Sequence, residues 1–287
     1  MPYRKSHIKA RLDRAKPKKS LLIKGWFWLV VLVIAIISAV CYFALFCSRV
    51  QIENIIITGN QETSREAIEA VIIDNINHKI LGLGSWGISS KSILLASPGK
   101  LEEAILEKFA VIDNVIVSKK FFQTITVDVS ERKPVAVFCP SLDVSISGDS
   151  CYFLDNNGII FNNLGLSQSE YLIVRQNVGT PVSAGQQALD PNIISAIVEI
   201  DKTLKNNLQT GVKNALFASN SKITIITLEN WYIYFGYGNN YNSTEQIAKL
   251  NSLLEKGISA QEKENLRYID LRPEDRAIFC DNKTCGG

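Results

Sequence analysis

Two histidines, His7 and His78, are all that this 287-residue chain contains. Histidine is the side chain that most often moves protons near neutral pH, so its scarcity argues against acid–base chemistry. His7 lies in a basic N-terminal stretch. His78 follows a helical pattern in INHKI and reads as a solvated helix end. A Cys–His nucleophile pair would need His78 beside Cys139 or Cys151, and nothing in the chain order brings them together. No nucleophile elbow stands where a helix begins, and Ser89-Ser90-Lys91 falls in a connection. LGLGSWG is glycine-rich but lacks a following GK[ST], which removes a phosphate-cradling loop. The cysteines outside the apolar segment lack paired CxxC spacing and a neighbouring histidine, which argues against a zinc site. The expectation is a protein without catalysis, cofactor or metal.

Acidic residues are nearly missing from residues 1–24, which hold nine basic residues against the single acid Asp13. Charge of either sign is missing from Gly25 to Cys47, a run of 23 residues (GWFWLVVLVIAIISAVCYFALFC). As a helix this run spans about 34 Å, enough to cross a bilayer with some tilt. Trp26 and Trp28 stand near one end and Tyr42 and Phe43 near the other, as interfacial aromatics do. A cleavable signal peptide is the rival reading, but its apolar region is shorter and ends in a small-x-small site that FALFCSRV does not offer. The remainder carries 22 basic and 27 acidic residues, so the overall +3 conceals two opposite halves. The positive-inside rule then places the tail in the cytoplasm and the rest outside, a single-pass type II arrangement. Topogenic charge and anionic lipid account for the tail without nucleic acid.

Beyond the span the pattern alternates between strand and helix. VQIENIIITGN reads as a strand ending in a turn. Ser64 begins a helix in SREAIEAVIIDNI, with Ala67, Ile68, Val71, Ile72 and Ile76 at helical spacing. HKILGLGSWGISSKSILLAS reads as an irregular connection. PGKLEEAILEKF is a second helix from Pro98, with Leu101, Ala104, Ile105 and Phe109 on one face. Two strands follow, the first turning Ile112, Val115 and Val117 inward and the second alternating Ile125, Val127 and Val129 against polar neighbours. This is an α+β unit with two helices on one face of a small sheet.

After Pro134 the chain becomes mainly β, with strand-like runs VAVF, CYFLD, GIIFN, YLIVR, KITIITL and WYIYFG. Helical patterns cover Asn192–Lys205 and Ser243–Lys256, and NLRYIDLRPEDRAIF reads as a final strand. Between the units stands VSERKPVAVF. Pro134 cannot donate to a central ladder, and it holds the preceding residue extended. Glu131, Arg132, Lys133 and Pro134 therefore read as a short, stiff domain junction, its charges meeting solvent.

Four cysteines outside the span, Cys139, Cys151, Cys280 and Cys285, allow three pairings. Cys139 and Cys151 flank a serine-rich turn, as a hairpin staple would, and Cys280 and Cys285 are spaced to close a small C-terminal loop. Asp155-Asn156-Asn157-Gly158 reads as a tight hairpin turn rather than a calcium loop. In WYIYFG, alternation puts Trp231, Ile233 and Phe235 on one face. Tyr232 and Tyr234 fall on the other, free for a partner or glycan.

Together these residues resemble the FtsQ/DivIB family of bitopic bacterial cell-division proteins. The matching pieces are Val50-x-Ile52-x-x-Ile55-x-Ile57-x-Gly59-Asn60, Ser64-x-Glu66-x-Ile68, Val115-x-Val117-Ser-Lys119-Lys120 and Thr124-Ile125-x-Val127. Further along come Glu131-Arg132-Lys133-Pro134-Val135-Ala136, Leu154-Asp155-x-x-Gly158-x-Ile160-Phe161 and Tyr268-Ile269-Asp270-Leu271-Arg272. The resemblance implies five segments: a cytoplasmic tail at 1–24, the membrane helix at 25–47, a β-α-α-β-β POTRA domain at 50–132, the family's β domain at 133–279 and a tail at 280–287. It implies a non-catalytic divisome scaffold in the plasma membrane at the division septum. Its partners would be of the FtsB/DivIC and FtsL types. In that family the last strands offer an edge to which a partner adds a strand. The matching residues are Tyr268, Ile269, Asp270, Leu271, Arg272, Ala277, Ile278 and Phe279. Pro273-Glu274-Asp275 departs from the family pattern, as does the Cys280–Cys285 ending. A POTRA-bearing, membrane-anchored chaperone of protein export is the alternative, which a C-terminal membrane β-barrel would favour.

Overall fold

The computed structural model describes residues 25–83, 86–120, 123–142, 151–164, 171–219 and 221–282. The uncharged run forms helix α1 (Gly25–Phe46), none of whose residues is buried. It is long and apolar enough to cross a membrane.

The first globular unit contains strand β1 (Asn54–Thr58), helix α2 (Arg65–Ile76), hairpin strands β2 (His78–Leu83) and β3 (Trp86–Ser90), helix α3 (Pro98–Lys108), and strands β4 (Ile112–Lys120) and β5 (Thr124–Glu131). The sheet order is β1-β5-β4, with β1 parallel and β4 antiparallel to β5. Ser64 caps α2, its hydroxyl accepting from the Ala67 N–H, and Pro98 opens α3 where no intrahelical N–H is required. The periodic apolar residues close one core: Ile68, Ile72, Leu101 and Ile105 from the helices pack over Val115, Val117, Ile125, Val127 and Val129 from the sheet. One expectation is corrected. The stretch expected to be irregular holds the β2–β3 hairpin, whose short, glycine-interrupted strands carry too little alternation to announce themselves.

The second unit is built on a nine-stranded sheet. Its strands are β6 (Ala136–Cys139), β7 (Tyr152–Leu154), β8 (Ile160–Asn163), β9 (Ile173–Gln176), β10 (Val212–Ser219), β11 (Lys222–Thr227), β12 (Tyr232–Gly236), β13 (Leu266–Asp270) and β14 (Ile278–Asp281). Their order is β14-β13-β12-β11-β10-β9-β6-β7-β8. Helices α4 (Pro191–Leu208), α5 (Ser243–Ser252) and α6 (Ala260–Lys263) complete the unit. Ile194, Ile197, Ile200 and Leu204 of α4 and Leu250 of α5 share a core with Ile223, Ile225, Ile233 and Phe235 of the sheet. The tail expected to be one strand is two, because Pro273 and the two acids after it interrupt pairing between β13 and β14. Strand β10 has no counterpart among the expected runs, since register shifts break its alternation.

Candidate partner-binding edge

At the end of the nine-stranded sheet, β14 has one strand neighbour among the described residues, β13. The eight residues of the expected partner segment therefore divide. Tyr268, Ile269 and Asp270 lie in β13, paired on both sides, with β12 and with β14. Ile269 and Leu271 are wholly buried, so their side chains belong to the core. Ala277 and Phe279 are partly buried against the same core, whereas Ile278 is 45% exposed. Ile278 is opposite Asp270 in the ladder, which puts it on the outer face of the sheet.

The outer face is aromatic where it approaches this edge. Tyr232 and Tyr234 stack with ring centroids 6.5 Å apart, and Tyr234 meets Tyr268 at 5.7 Å. Register places Tyr232 beside Tyr268 and Tyr234 beside Asp270. The Lys222 ammonium lies 4.2 Å from the Tyr234 ring centre and the Arg272 guanidinium carbon 5.4 Å from it, both within cation–π reach. Arg272 forks onto Asp270, Nε donating to Oδ1 at 2.8 Å and Nη2 to Oδ2 at 2.5 Å, while its backbone N–H donates to Oδ1 at 3.0 Å. Burial alone would raise the Asp270 carboxyl. The Arg272 hydrogen bonds and charge, with Lys222 beyond, outweigh it and hold the group below its ordinary pKa. The hydrogen bond to Asp270 pushes the Arg272 guanidinium up in turn.

The β13–β14 connection is fixed from below. Lys249 of α5 donates from Nζ to the carbonyl oxygens of Leu271 at 3.0 Å, Pro273 at 2.5 Å and Glu274 at 3.4 Å. Three carbonyls converge on one ammonium, so the proline-acid insertion is held in place. Nothing in the spacing of Lys249, 22 residues before Leu271, marks it for this role. Cys280 of β14 is buried and disulfide-bonded, and Cys285 lies outside the described residues.

The junction residues occupy a different place. The expectation that Arg132 meets solvent is corrected: its side chain is only 11% exposed. It donates from Nε to the Ala110 carbonyl at 3.0 Å, and from Nη1 to Asp113 Oδ1 at 3.0 Å and Asp155 Oδ2 at 2.5 Å. Asp155 belongs to the β7–β8 turn, whose Asn157 and Ile159 N–H groups it accepts at 2.9 and 2.8 Å. One guanidinium thus joins the two units. Glu131 accepts the Glu62 and Thr63 N–H groups, each at 2.9 Å. Burial tends to raise its carboxyl, but the backbone donors around it hold it below its ordinary pKa. Lys133 alone of the three charges is exposed, and Pro134 stands between β5 and β6 with no ladder partner. Phe161 of β8 is buried in the core of the first unit, which closes the junction on its apolar side.

Among the described residues no group of three or more His, Cys, Asp or Glu side chains is arranged to hold a metal ion. Asp155 serves the turn and Arg132, with Gly158 at φ +75° where a side chain would strike the Leu189 carbonyl.

An apolar helix long enough to cross a membrane, followed by a three-stranded sheet with two covering helices, fits a membrane-anchored POTRA protein. Residues 50–132 match the family model of the POTRA domain, FtsQ-type. The chain thus carries an FtsQ-type POTRA domain, in accord with the FtsQ/DivIB resemblance of its motifs. No curated protein matches the chain.

Proposed function

We propose that this protein is a non-catalytic scaffold of bacterial cell division. Its basic tail lies in the cytoplasm, α1 crosses the plasma membrane, and the two globular units stand outside at the division septum. Partners of the FtsB/DivIC and FtsL types are held there, the former by adding a strand to β14. The observation that carries this reading is that β14 has a single strand neighbour among the described residues, in a chain with an FtsQ-type POTRA domain. An edge strand presents unpaired N–H and C=O groups, so backbone pairing supplies affinity while side chains beside it supply selectivity. Ile278 and the Tyr232–Tyr234–Tyr268 face are those side chains, with Arg272 positioned by Asp270 as a cation for an acidic partner residue.

The test uses the full chain in detergent, titrated with the soluble domain of its FtsB/DivIC-type partner. Ile278→Lys changes an exposed side chain and leaves the core alone. It is expected to weaken binding about tenfold, equivalent to about 1.4 kcal/mol. Hydrogen exchange at the β14 amides should slow in the complex. Unchanged affinity together with unchanged β14 exchange would remove the edge from the reading. Ile269→Lys is no substitute, since Ile269 is buried and its loss would disrupt the sheet itself.

A further inference from the structure

The junction between α1 and the POTRA domain is unusually well tied for a membrane anchor. The last carbonyls of any helix lack intrahelical partners, and at a bilayer boundary water does not reliably supply them. Here the POTRA domain supplies them. The Ser92 hydroxyl donates to the Ala44 carbonyl at 2.7 Å. The Ser90 hydroxyl and the Gln51 amide donate to the Leu45 carbonyl at 2.5 and 2.6 Å. Gln123 donates to the Ser48 carbonyl at 3.0 Å, just beyond the helix. Backbone bonds reinforce the seam, with the Ile52 N–H on Lys91 O at 3.0 Å and the Ile93 N–H on Val50 O at 2.8 Å.

This fixes a depth. A helix of 22 residues is about 33 Å long, close to the roughly 30 Å of bilayer hydrocarbon. Ala44 and Leu45 then lie at the outer boundary of the hydrocarbon, and Ser90 and Ser92, bonded to them, lie at the same level. Leu94 and Leu95 follow within about 10 Å of extended chain. They are 50% and 40% exposed, while Ile93 and Ala96 on either side are buried in the POTRA core and hold the segment rigid. Two adjacent leucines facing water would be a liability. At this depth they face headgroups and the first methylenes.

The charges around them agree. Chain direction brings three connections to this end of the domain: the one before β1, the one between α2 and α3, and the β4–β5 turn. Arg49, Lys91 and Lys120 are exposed there and Lys119 partly so, against Glu53 and, in the last turn of α2, Asp74. Apolar residues ringed by lysine and arginine are the composition of a surface that rests in the interface of an anionic bilayer.

We propose that this end of the POTRA domain is a second membrane contact. Leu94 and Leu95 insert into the outer leaflet beside α1, and Arg49, Lys91, Lys119 and Lys120 meet phospholipid headgroups. The domain is then a platform seated on the bilayer rather than a body on a free tether. The proposal rests on the reading that α1 crosses the membrane, and the test separates the two.

The full chain, with Cys41→Ser and Cys47→Ser, is placed in nanodiscs of phosphatidylethanolamine and phosphatidylglycerol. A nitroxide is attached at one site at a time: Ala39→Cys within α1, Leu94→Cys, or Glu107→Cys at the far end of α3. Collision with oxygen, which concentrates in lipid, is compared with collision with a water-soluble nickel chelate. The expected result is a label at 39 deep in lipid, a label at 94 several-fold more accessible to oxygen relative to nickel than the label at 107, and a fully aqueous label at 107. If 39 is in lipid and 94 matches 107, the second contact is overturned and the anchor stands. If 94 is closed to both reagents, protein covers it and the lipid assignment is overturned. If 39 itself is aqueous, the anchor reading falls and the proposal with it.

Discussion

Arg132 shows how a single residue can be located correctly in a sequence and still be given the wrong surroundings. Its place between a strand and Pro134 marks a junction, and three successive charges suggest solvent. What decides its environment is Asp155, 23 residues further on, and local spacing holds no trace of that pairing. An ion pair this sheltered leaves a nearly buried charge uncompensated when one partner is removed, whereas an exposed pair would contribute under about 1 kcal/mol. Arg132→Ala and Asp155→Ala are each expected to destabilise the chain by about 3 kcal/mol in urea unfolding of the detergent-solubilised protein. The double variant should cost about 1–2 kcal/mol less than the sum of the two, since the pair is lost only once. Strict additivity would mean that the pair does not couple the two units. Glu131 makes the same point in a milder form: its carboxylate holds the loop before α2, a role visible only once Glu62 and Thr63 are seen beside it.

Elements are legible where periodicity is long and uninterrupted. Helices α2, α3 and α4 and strands β4 and β5 carry their apolar faces openly, and the Asp155–Gly158 turn follows from its own residue types. Short strands with glycine or a bulge are not legible. The β2–β3 hairpin and β10 are fixed by their neighbours in the sheet rather than by their own pattern. The division of the tail into β13 and β14 likewise depends on Lys249, which gathers three carbonyls of the connection. Cysteine spacing leaves three pairings open, and the structure joins Cys139 to Cys151, a separation of 12 residues between β6 and β7. Closing a loop of that size removes denatured-state entropy equivalent to about 3 kcal/mol. The Cys139→Ser/Cys151→Ser variant should therefore unfold at lower urea concentration by an amount corresponding to about 2–3 kcal/mol. Treatment of the unaltered chain with reductant should produce a shift in the same direction. An unmoved midpoint in the double variant would show that the β6–β7 connection is already ordered in the denatured chain.

At the scale of the whole molecule the asymmetry of charge becomes an argument about orientation. Nine basic residues precede α1 against one acid, while the rest of the chain is net acidic. Basic residues near a span resist translocation far more than acidic ones do, so the cytoplasmic side should be that of the tail. The Cys139–Cys151 disulfide agrees, since such bonds persist outside the reducing cytoplasm. The basic rim around Leu94 does not oppose this orientation, because four cations spread over a folded surface are outweighed by nine in one short tail. The prediction is that, with Cys41 and Cys47 replaced by serine, a membrane-impermeant maleimide labels Lys133→Cys in cells whose outer layers have been opened. Ser6→Cys should react only after the plasma membrane is lysed. Lys133 suits this use because its side chain is exposed, whereas the junction is held by its neighbour Arg132. Reaction at position 6 in unlysed cells, with position 133 silent until lysis, would reverse the orientation. It would put β14 in the wrong compartment for an extracytoplasmic partner, however well its edge accepts a strand.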